Sequence, residues 1–117
     1  LKWRCKKYNV AMKFIESEGG VPTLTGTYDN IIAMDCLEHI QEWRETLAVL
    51  ADHLEPNGIL FSDNAIFHNT THPEHYDVHP NEFIKSCVDL NLLPQTQISY
   101  TKTPVETFAN QEVKANA

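Results

Sequence analysis

The chain has 117 residues and a formal net charge of −7 at pH 7; 42% of the residues are apolar and 21% are charged. This length corresponds to one small domain, or to a piece of a larger one, with a thin hydrophobic core. The acidic balance argues against binding along a nucleic-acid backbone, and no stretch approaches the roughly 20 apolar residues of a membrane span.

The first quarter predicts a helix end followed by a strand. Apolar residues at helical spacing in residues 1–8 are typical of the last turns of a helix that begins upstream. Residues 10–15 are mostly apolar and rich in strand formers, and Gly19 and Gly20 then break the run, which predicts a strand. Residues 21–27 are predicted to form a loop.

The middle of the chain predicts a parallel β-α-β unit. Residues 30–35 are predicted to form a strand, because residues 31–34 are apolar without alternation, as expected when both faces are covered. The next apolar residues recur at intervals of three and four and predict one helix face, formed by Ile40, Trp43, Leu47, Leu50 and Leu54. Pro-Asn-Gly at residues 56–58 is predicted to stop this helix and turn the chain into a strand at residues 59–62.

The last third predicts a loop, a helix and a hairpin. Residues 65–79 are polar and rich in histidine, and Pro80 is well suited to open a helix. Residues 96–100 and 105–109 are predicted to be two antiparallel strands joined by the Thr-Lys-Thr-Pro segment.

Three motifs in sequence carry a resemblance to a known family. Tyr-Asp at residues 28–29 opens the apolar strand, Leu-Glu-His at residues 37–39 follows it, and Pro-Asn-Gly at residues 56–58 follows the helix. This order resembles the second half of a class I S-adenosylmethionine-dependent methyltransferase, whose pattern is aromatic-Asp, Leu-Glu-His and Pro-Gly-Gly. The resemblance covers about residues 1–109.

The resemblance implies an α/β fold, specifically a partial Rossmann-like class I methyltransferase sheet. It would contain the family's strands 3 to 7 with intervening helices, the last two strands forming an antiparallel terminal hairpin. Residues 1–110 would be the C-terminal portion of a methyltransferase-like domain, and residues 111–117 a tail.

The family's glycine-rich loop, which approaches the cofactor closely, has no counterpart here. The four glycines lie at positions 19, 20, 26 and 58, and no G-x-G occurs. We therefore expect a fragment of a methyltransferase that acts on a small molecule and uses S-adenosylmethionine when complete, with weak or no cofactor binding by this chain alone. The alternative is a non-catalytic methyltransferase-like module for dimerisation or partner binding.

The family's sheet order, 3-2-1-4-5-7-6, implies an exposed edge. Without strands 1 and 2, the strand at residues 30–35 would lack a neighbour on one side, and unpaired apolar edges recruit other chains. We expect one of three outcomes: a fragment of a longer enzyme, a homodimer that pairs along the exposed edge from Ile31 to Met34, or a rearranged sheet.

Candidate catalytic and cofactor residues follow the predicted strands. Asp35 ends a parallel strand at its carboxyl end, where open α/β sheets bind ligands, so Asp35 and His39 are our catalytic candidates. The predicted cofactor contacts are Asp35 and Cys36, with Glu16 or Glu18 where the family's acidic residue meets the adenine. A solvated loop carboxylate is the alternative for both glutamates.

Glu38 and the histidine-rich loop allow two interpretations each. Glu38 is predicted to bond backbone groups at the helix start in preference to a catalytic role. In the family the loop after the fifth strand covers the substrate, which makes the predicted substrate contacts Asn64, His68, His72 and His75. The spacing of His68, His72, His75 and His79 leaves a Zn²⁺-binding loop as a rival hypothesis, although we assign no metal ligand.

The three cysteines are Cys5, Cys36 and Cys87. Their odd number and wide spacing predict reduced thiols in a cytoplasmic protein. The expected partner is a small-molecule substrate. Neither a nucleic acid nor a membrane is expected as a partner.

Overall fold

The structure is a computed structural model, and it describes residues 1–17, 19–66 and 73–104. Its helices and strands are α1 (Lys2–Lys7), β1 (Tyr28–Ala33), a 3₁₀ turn (Leu37–His39), α2 (Trp43–Asp52), β2 (Leu54–Ser62), α3 (Pro80–Asp89), β3 (Leu92–Pro94) and β4 (Ser99–Lys102).

The strands form one four-stranded mixed sheet in the order β1-β2-β4-β3. β1 and β2 are parallel and are connected through α2, while β4 is antiparallel to both β2 and β3. The predicted α/β class and the β-α-β unit are therefore confirmed, and the sheet contains an antiparallel pair, although between other residues than predicted. The assignment of these strands to the family's strands 3 to 7 stays a prediction.

The core lies where α2 and α3 meet the sheet. Leu47 on α2, Phe83 on α3 and Leu60 on β2 are buried. The Phe83 ring lies 5.6 Å from the Tyr100 ring, at an interplanar angle of 82°, and 6.2 Å from the Trp43 ring. Edge-to-face aromatic packing of this kind adds stability beyond the burial of apolar surface.

The strand predicted at residues 10–15 is wrong. These residues have no strand structure, and Val10 and Met12 are about half exposed. A strand needs a neighbour to accept and donate its backbone hydrogen bonds. Within the described part of the chain, no other strand pairs with this segment, so its strand-forming residues do not form one.

The end of α2 also differs from the prediction. The helix begins at Trp43 instead of Ile40 and ends at Asp52, and residues 54–58 already belong to β2. Pro-Asn-Gly forms an irregularity inside the strand, because the pairing shifts register between Tyr28 opposite Leu54 and Asn30 opposite Ile59.

Gly58 explains why glycine occupies this irregularity. A Cβ atom at this position would lie 2.8 Å from the backbone oxygen of Glu55 and 2.9 Å from that of Asp29. Real Cβ atoms do not approach backbone oxygens so closely, so only glycine lets β1 and β2 come together here.

The terminal hairpin is shifted toward the amino terminus. Its strands are Leu92–Pro94 and Ser99–Lys102, so Thr101 and Lys102 lie within a strand and not in the turn as predicted. The turn comprises residues 95–98, where the Gln95 N–H donates to the Ser99 carbonyl at 2.9 Å. The predicted strand at residues 105–109 and the tail at residues 111–117 lie outside the described residues.

β1 lies at the edge of the sheet, as the sequence predicted. Among the described strands it pairs only with β2. Ile32 in this strand is 73% exposed, and Met34 just beyond it is 41% exposed. Beside the strand is an apolar hollow of about 230 Å³, lined in part by Leu24 and Leu50.

A search of the described residues finds no helix long and apolar enough to cross a membrane. Cys5, Cys36 and Cys87 are free.

Two buried core groups should lower the free energy of unfolding at alkaline pH. Burial raises the pKa of Cys87 to about 12 from an ordinary 9.0, and burial with the nearby Cys87 raises the pKa of Tyr100 to about 12 from 10.0. The folded chain keeps protons that the unfolded chain releases above pH 9.0. The free energy of unfolding should therefore be unaffected by these groups below pH 9 and fall as the pH rises from 9 toward 12.

Urea denaturation at pH 7, 9 and 10.5 measures this fall. Tyr100→Phe should make it less steep, because phenylalanine has no proton to release. A free energy of unfolding that stays constant up to pH 10.5 would contradict the prediction.

Candidate active site

The candidate site lies at the carboxyl ends of the parallel strands β1 and β2. Asp35 follows β1, and Asp63 and Asn64 follow β2. The Asp35 backbone N–H donates to the Asp63 carboxylate, whose two oxygens lie at 3.1 and 3.2 Å. Asp63 is 8% exposed and Asn64 is 2% exposed, so β2 ends in two polar residues that face the interior of the site.

Asp35 adopts a left-handed backbone conformation, with φ of +48°. Aspartate tolerates this conformation better than most residues, and the Asp63 hydrogen bonds hold it there. The Asp35 side chain is 81% exposed, and its Oδ1 lies 3.5 Å from His39 Nε2. Hydrogen bonding with Glu38, and then with His39, lowers the pKa of Asp35 below its usual range, so this group is a carboxylate at neutral pH.

Glu38 is held by a chain of hydrogen bonds from β2. Ser62 Oγ donates to Asn64 Oδ1 at 2.8 Å, and Asn64 Nδ2 donates to Glu38 Oε2 at 3.2 Å. Ser62 and Asn64 are both fully or almost fully buried. Because buried partners have few alternative conformations, these two hydrogen bonds orient the Glu38 carboxylate toward the site.

His75 completes the site from the segment before α3. Its ring meets the His39 ring edge-on, with centroids 4.5 Å apart and an interplanar angle of 81°. The neighbouring Tyr76 N–H donates to the Glu38 carbonyl at 2.6 Å, which fastens this segment to the 3₁₀ turn. Asp35, Glu38, His39 and His75 each offer one donor atom, and these four atoms lie within 4.8 Å of one another. We call these four residues the four-donor cluster.

Cys36 lies between the carboxylates and is half-buried. Burial raises the pKa of its thiol, and the negative charges of Glu38, Asp35 and Asp63 raise it further. The thiol is therefore protonated at neutral pH and is a poor nucleophile, because the thiolate is the reactive form.

A cleft of about 380 Å³ opens at the same edge of the sheet. It is lined by Ala65, Ile84, Tyr100 and residues 94–97 of the hairpin. Ala65 directly follows Asn64, and the hairpin turn lies beside the carboxyl end of β2 because Ser99 pairs with Phe61. The cleft has the size of a small-molecule site.

The fold brings together five of the residues that the sequence predicted for the site: Asp35, Cys36, His39, Asn64 and His75. Glu16, a predicted cofactor contact, forms an exposed ion pair with Lys2 at 3.4 Å. Glu18, His68 and His72 lie outside the described residues, so their predicted roles stay predictions.

Sequence reasoning missed two members of this site. Glu38 was expected to bond backbone groups, yet its carboxylate points into the cluster and is held by Asn64. Asp63 was not assigned a role at the strand end, although it directly follows a predicted strand parallel to the one that Asp35 follows. That shared position was the signal, since parallel strands end at the same edge of a sheet.

The glycines of this chain do not form a cofactor cradle. Gly19, Gly20 and Gly26 lie in the segment that leads into strand β1 and not into a helix, and Gly58 is packed within β2. A nucleotide-type cradle instead needs glycines where the backbone approaches the ligand, followed by a helix that offers free N–H groups. The residues described here do not supply that loop.

The fold is an α/β domain whose polar cluster lies at the carboxyl edge of its parallel strands, where open α/β sheets generally bind ligands. A family model described as a methyltransferase domain matches residues 4–87, so the chain belongs to this family. No curated protein and no solved structure matches the chain with statistical significance.

Proposed function

We propose that this chain forms the acceptor side of an S-adenosylmethionine-dependent methyltransferase that acts on a small molecule. The observation that carries the proposal is the four-donor cluster at the carboxyl edge of β1 and β2, in a chain that belongs to a methyltransferase family. Methyl transfer depends mainly on bringing acceptor and donor into line, which such a polar rim beside a cleft achieves by binding the acceptor.

The proposed roles divide the site between acceptor and cofactor. Asp35 and His39 act on the acceptor, whose proton leaves when a hydroxyl or amine is methylated. Asn64, His68, His72 and His75 are proposed to contact the acceptor near the 380 Å³ cleft.

The proposed cofactor contacts of this chain are Asp35 and Cys36, with Glu16 or Glu18. The main cofactor loop would be supplied by residues outside this sequence. We place the protein in the cytoplasm, without nucleic-acid or membrane partners, on the basis of its net charge of −7 and its free cysteines.

Calorimetry with S-adenosylhomocysteine tests the proposal. The 117-residue chain should show weak or no binding, because its glycines form no cradle. The full protein encoded by the same gene should bind with micromolar affinity and should carry a strand followed by a G-x-G loop. Absence of that loop and of binding in the full protein would refute the enzymatic proposal.

The exposed β1 edge favours the alternative, a non-catalytic methyltransferase-like module that dimerises or binds a partner. Ile32 is 73% exposed, and an apolar hollow of about 230 Å³ lies beside the same strand. Unpaired strands present backbone groups that a second chain satisfies by extending the sheet. We propose that a second copy of this chain pairs with β1.

Light scattering on the purified chain measures the predicted assembly. The mass should be about twice the 13.4 kDa of one chain, and Ile32→Lys should halve it, because a charge on an edge strand disfavours pairing. The matched control is Val88→Lys, at a 45% exposed position on α3, which should leave the dimer intact. A monomeric parent chain would contradict this prediction.

A further inference from the structure

The four-donor cluster combines two carboxylates and two imidazoles from three segments of the chain. Asp35 lies just after β1, Glu38 and His39 lie in the 3₁₀ turn, and His75 lies before α3. Carboxylate oxygens and imidazole nitrogens are the ligands by which proteins hold first-row divalent metal ions. The cluster therefore differs from a set of acidic side chains that only share a solvated surface.

The spacing of the donor atoms suits one ion. All four lie within 4.8 Å of one another. A tetrahedral ion with bonds of about 2.1 Å holds its ligand atoms roughly 3.4 Å apart, so the donors reach this geometry by closing at most about 1.4 Å. The side chains of Asp35 and His39 are partly or largely exposed, which lets them make this adjustment.

The residues behind the cluster resemble the supports of metal ligands. The Asn64 amide, itself 2% exposed, donates to Glu38, and the buried Ser62 hydroxyl donates to Asn64. The Asp63 carboxylate fixes the backbone at Asp35 through its N–H. Metal ligands are commonly oriented by such outer hydrogen bonds.

We propose that Asp35, Glu38, His39 and His75 bind one divalent first-row transition-metal ion, with Zn²⁺ bound more tightly than Mn²⁺. This order follows the general rise in affinity across the series for nitrogen and oxygen ligands. Ca²⁺ prefers six to eight oxygen ligands and should bind most weakly. Since the side chain of Asp35 is 81% exposed, an oxygen atom of a small molecule could approach an ion held by these four residues.

The proposal departs from the sequence-based expectation of no metal ligand. That expectation considered the histidine-rich loop, where Pro73 and Pro80 interrupt any helix that would align His68, His72, His75 and His79. The fold instead places His75 beside residues that follow β1.

Isothermal titration calorimetry of the full 117-residue chain with ZnCl₂, MnCl₂ and CaCl₂ tests the site. We expect one ion per chain and the affinity order Zn²⁺, Mn²⁺, Ca²⁺. Asp35→Asn and Glu38→Gln should each weaken Zn²⁺ binding by roughly tenfold or more. Asp35→Asn is the decisive variant because its exposed side chain is not needed for folding, which circular dichroism verifies.

Two histidine controls locate the ion. His53→Gln removes a histidine at the start of β2, the opposite end of the strand from the cluster, and should leave Zn²⁺ binding unchanged. The double variant His68→Gln/His72→Gln should also leave it unchanged. Loss of Zn²⁺ binding in this double variant together with normal binding by Asp35→Asn would overturn the proposal, as would no binding of any ion or Ca²⁺ binding as tight as Zn²⁺ binding.

Discussion

Phe83→Ala should lower the free energy of unfolding by roughly 3–5 kcal/mol. Phe83 is completely buried, and its ring touches the rings of Trp43 on α2 and Tyr100 on β4. Removing it leaves a cavity where both helices meet the sheet. Because a domain of this size is stable by about 5–15 kcal/mol, this loss is a substantial fraction of the free energy of unfolding.

Urea denaturation followed by tryptophan fluorescence measures the effect, since Trp43 reports on this part of the core. Val88→Ala is the matched control on the same helix, at a position that is 45% exposed. It should change the free energy of unfolding by no more than about 0.5 kcal/mol. A Phe83→Ala chain within about 1 kcal/mol of the parent would show that these aromatic contacts do not hold α3 to the sheet.

Asn64→Leu should destabilise the chain and loosen the site together. Leucine has nearly the size of asparagine but leaves the Ser62 hydroxyl and the Glu38 carboxylate without their hydrogen-bond partner. A buried polar group that loses its partner costs about 1–3 kcal/mol. The same change should weaken Zn²⁺ binding about 10–100-fold, because Glu38 is no longer oriented.

A second substitution separates these two effects. In Ser62→Ala/Asn64→Leu both partners of one hydrogen bond are removed, so the free energy of unfolding should recover toward the parent value. Zn²⁺ binding should stay weak, since Glu38 still lacks its donor. Asn81→Ala, at an exposed position on α3, is the control for an asparagine outside this network. Parent-like unfolding and Zn²⁺ binding of Asn64→Leu would contradict the proposed network.

Local sequence patterns predicted the elements that depend on local periodicity. The apolar spacing of Trp43, Leu47 and Leu50 predicted α2, and Pro80 predicted the start of α3. The same patterns predicted the wrong structure where the pairing of β-strands decides it. Residues 10–15 have strand-forming side chains but no partner strand among the described residues, and Leu54 leaves the predicted helix for β2 because Tyr28 of β1 pairs with it.

The candidate site shows the same division. Asp35 and His39 were predicted from their place after a parallel strand, which is a property of local order along the chain. The roles of Glu38 and Asp63 depend on contacts that join β1 to β2, and no local pattern contains those contacts.

A β-α-β unit of methyltransferase type can be predicted from the residues alone, because hydrophobic periodicity and the Leu-Glu-His motif are local. The cluster of Asp35, Glu38, His39 and His75 depends on the folded chain. The parallel pairing of β1 with β2 sets the position of the first three, and the hydrogen bond from the Tyr76 N–H to the Glu38 carbonyl holds His75 beside them. Such convergence depends on chain topology, which residue spacing alone does not encode.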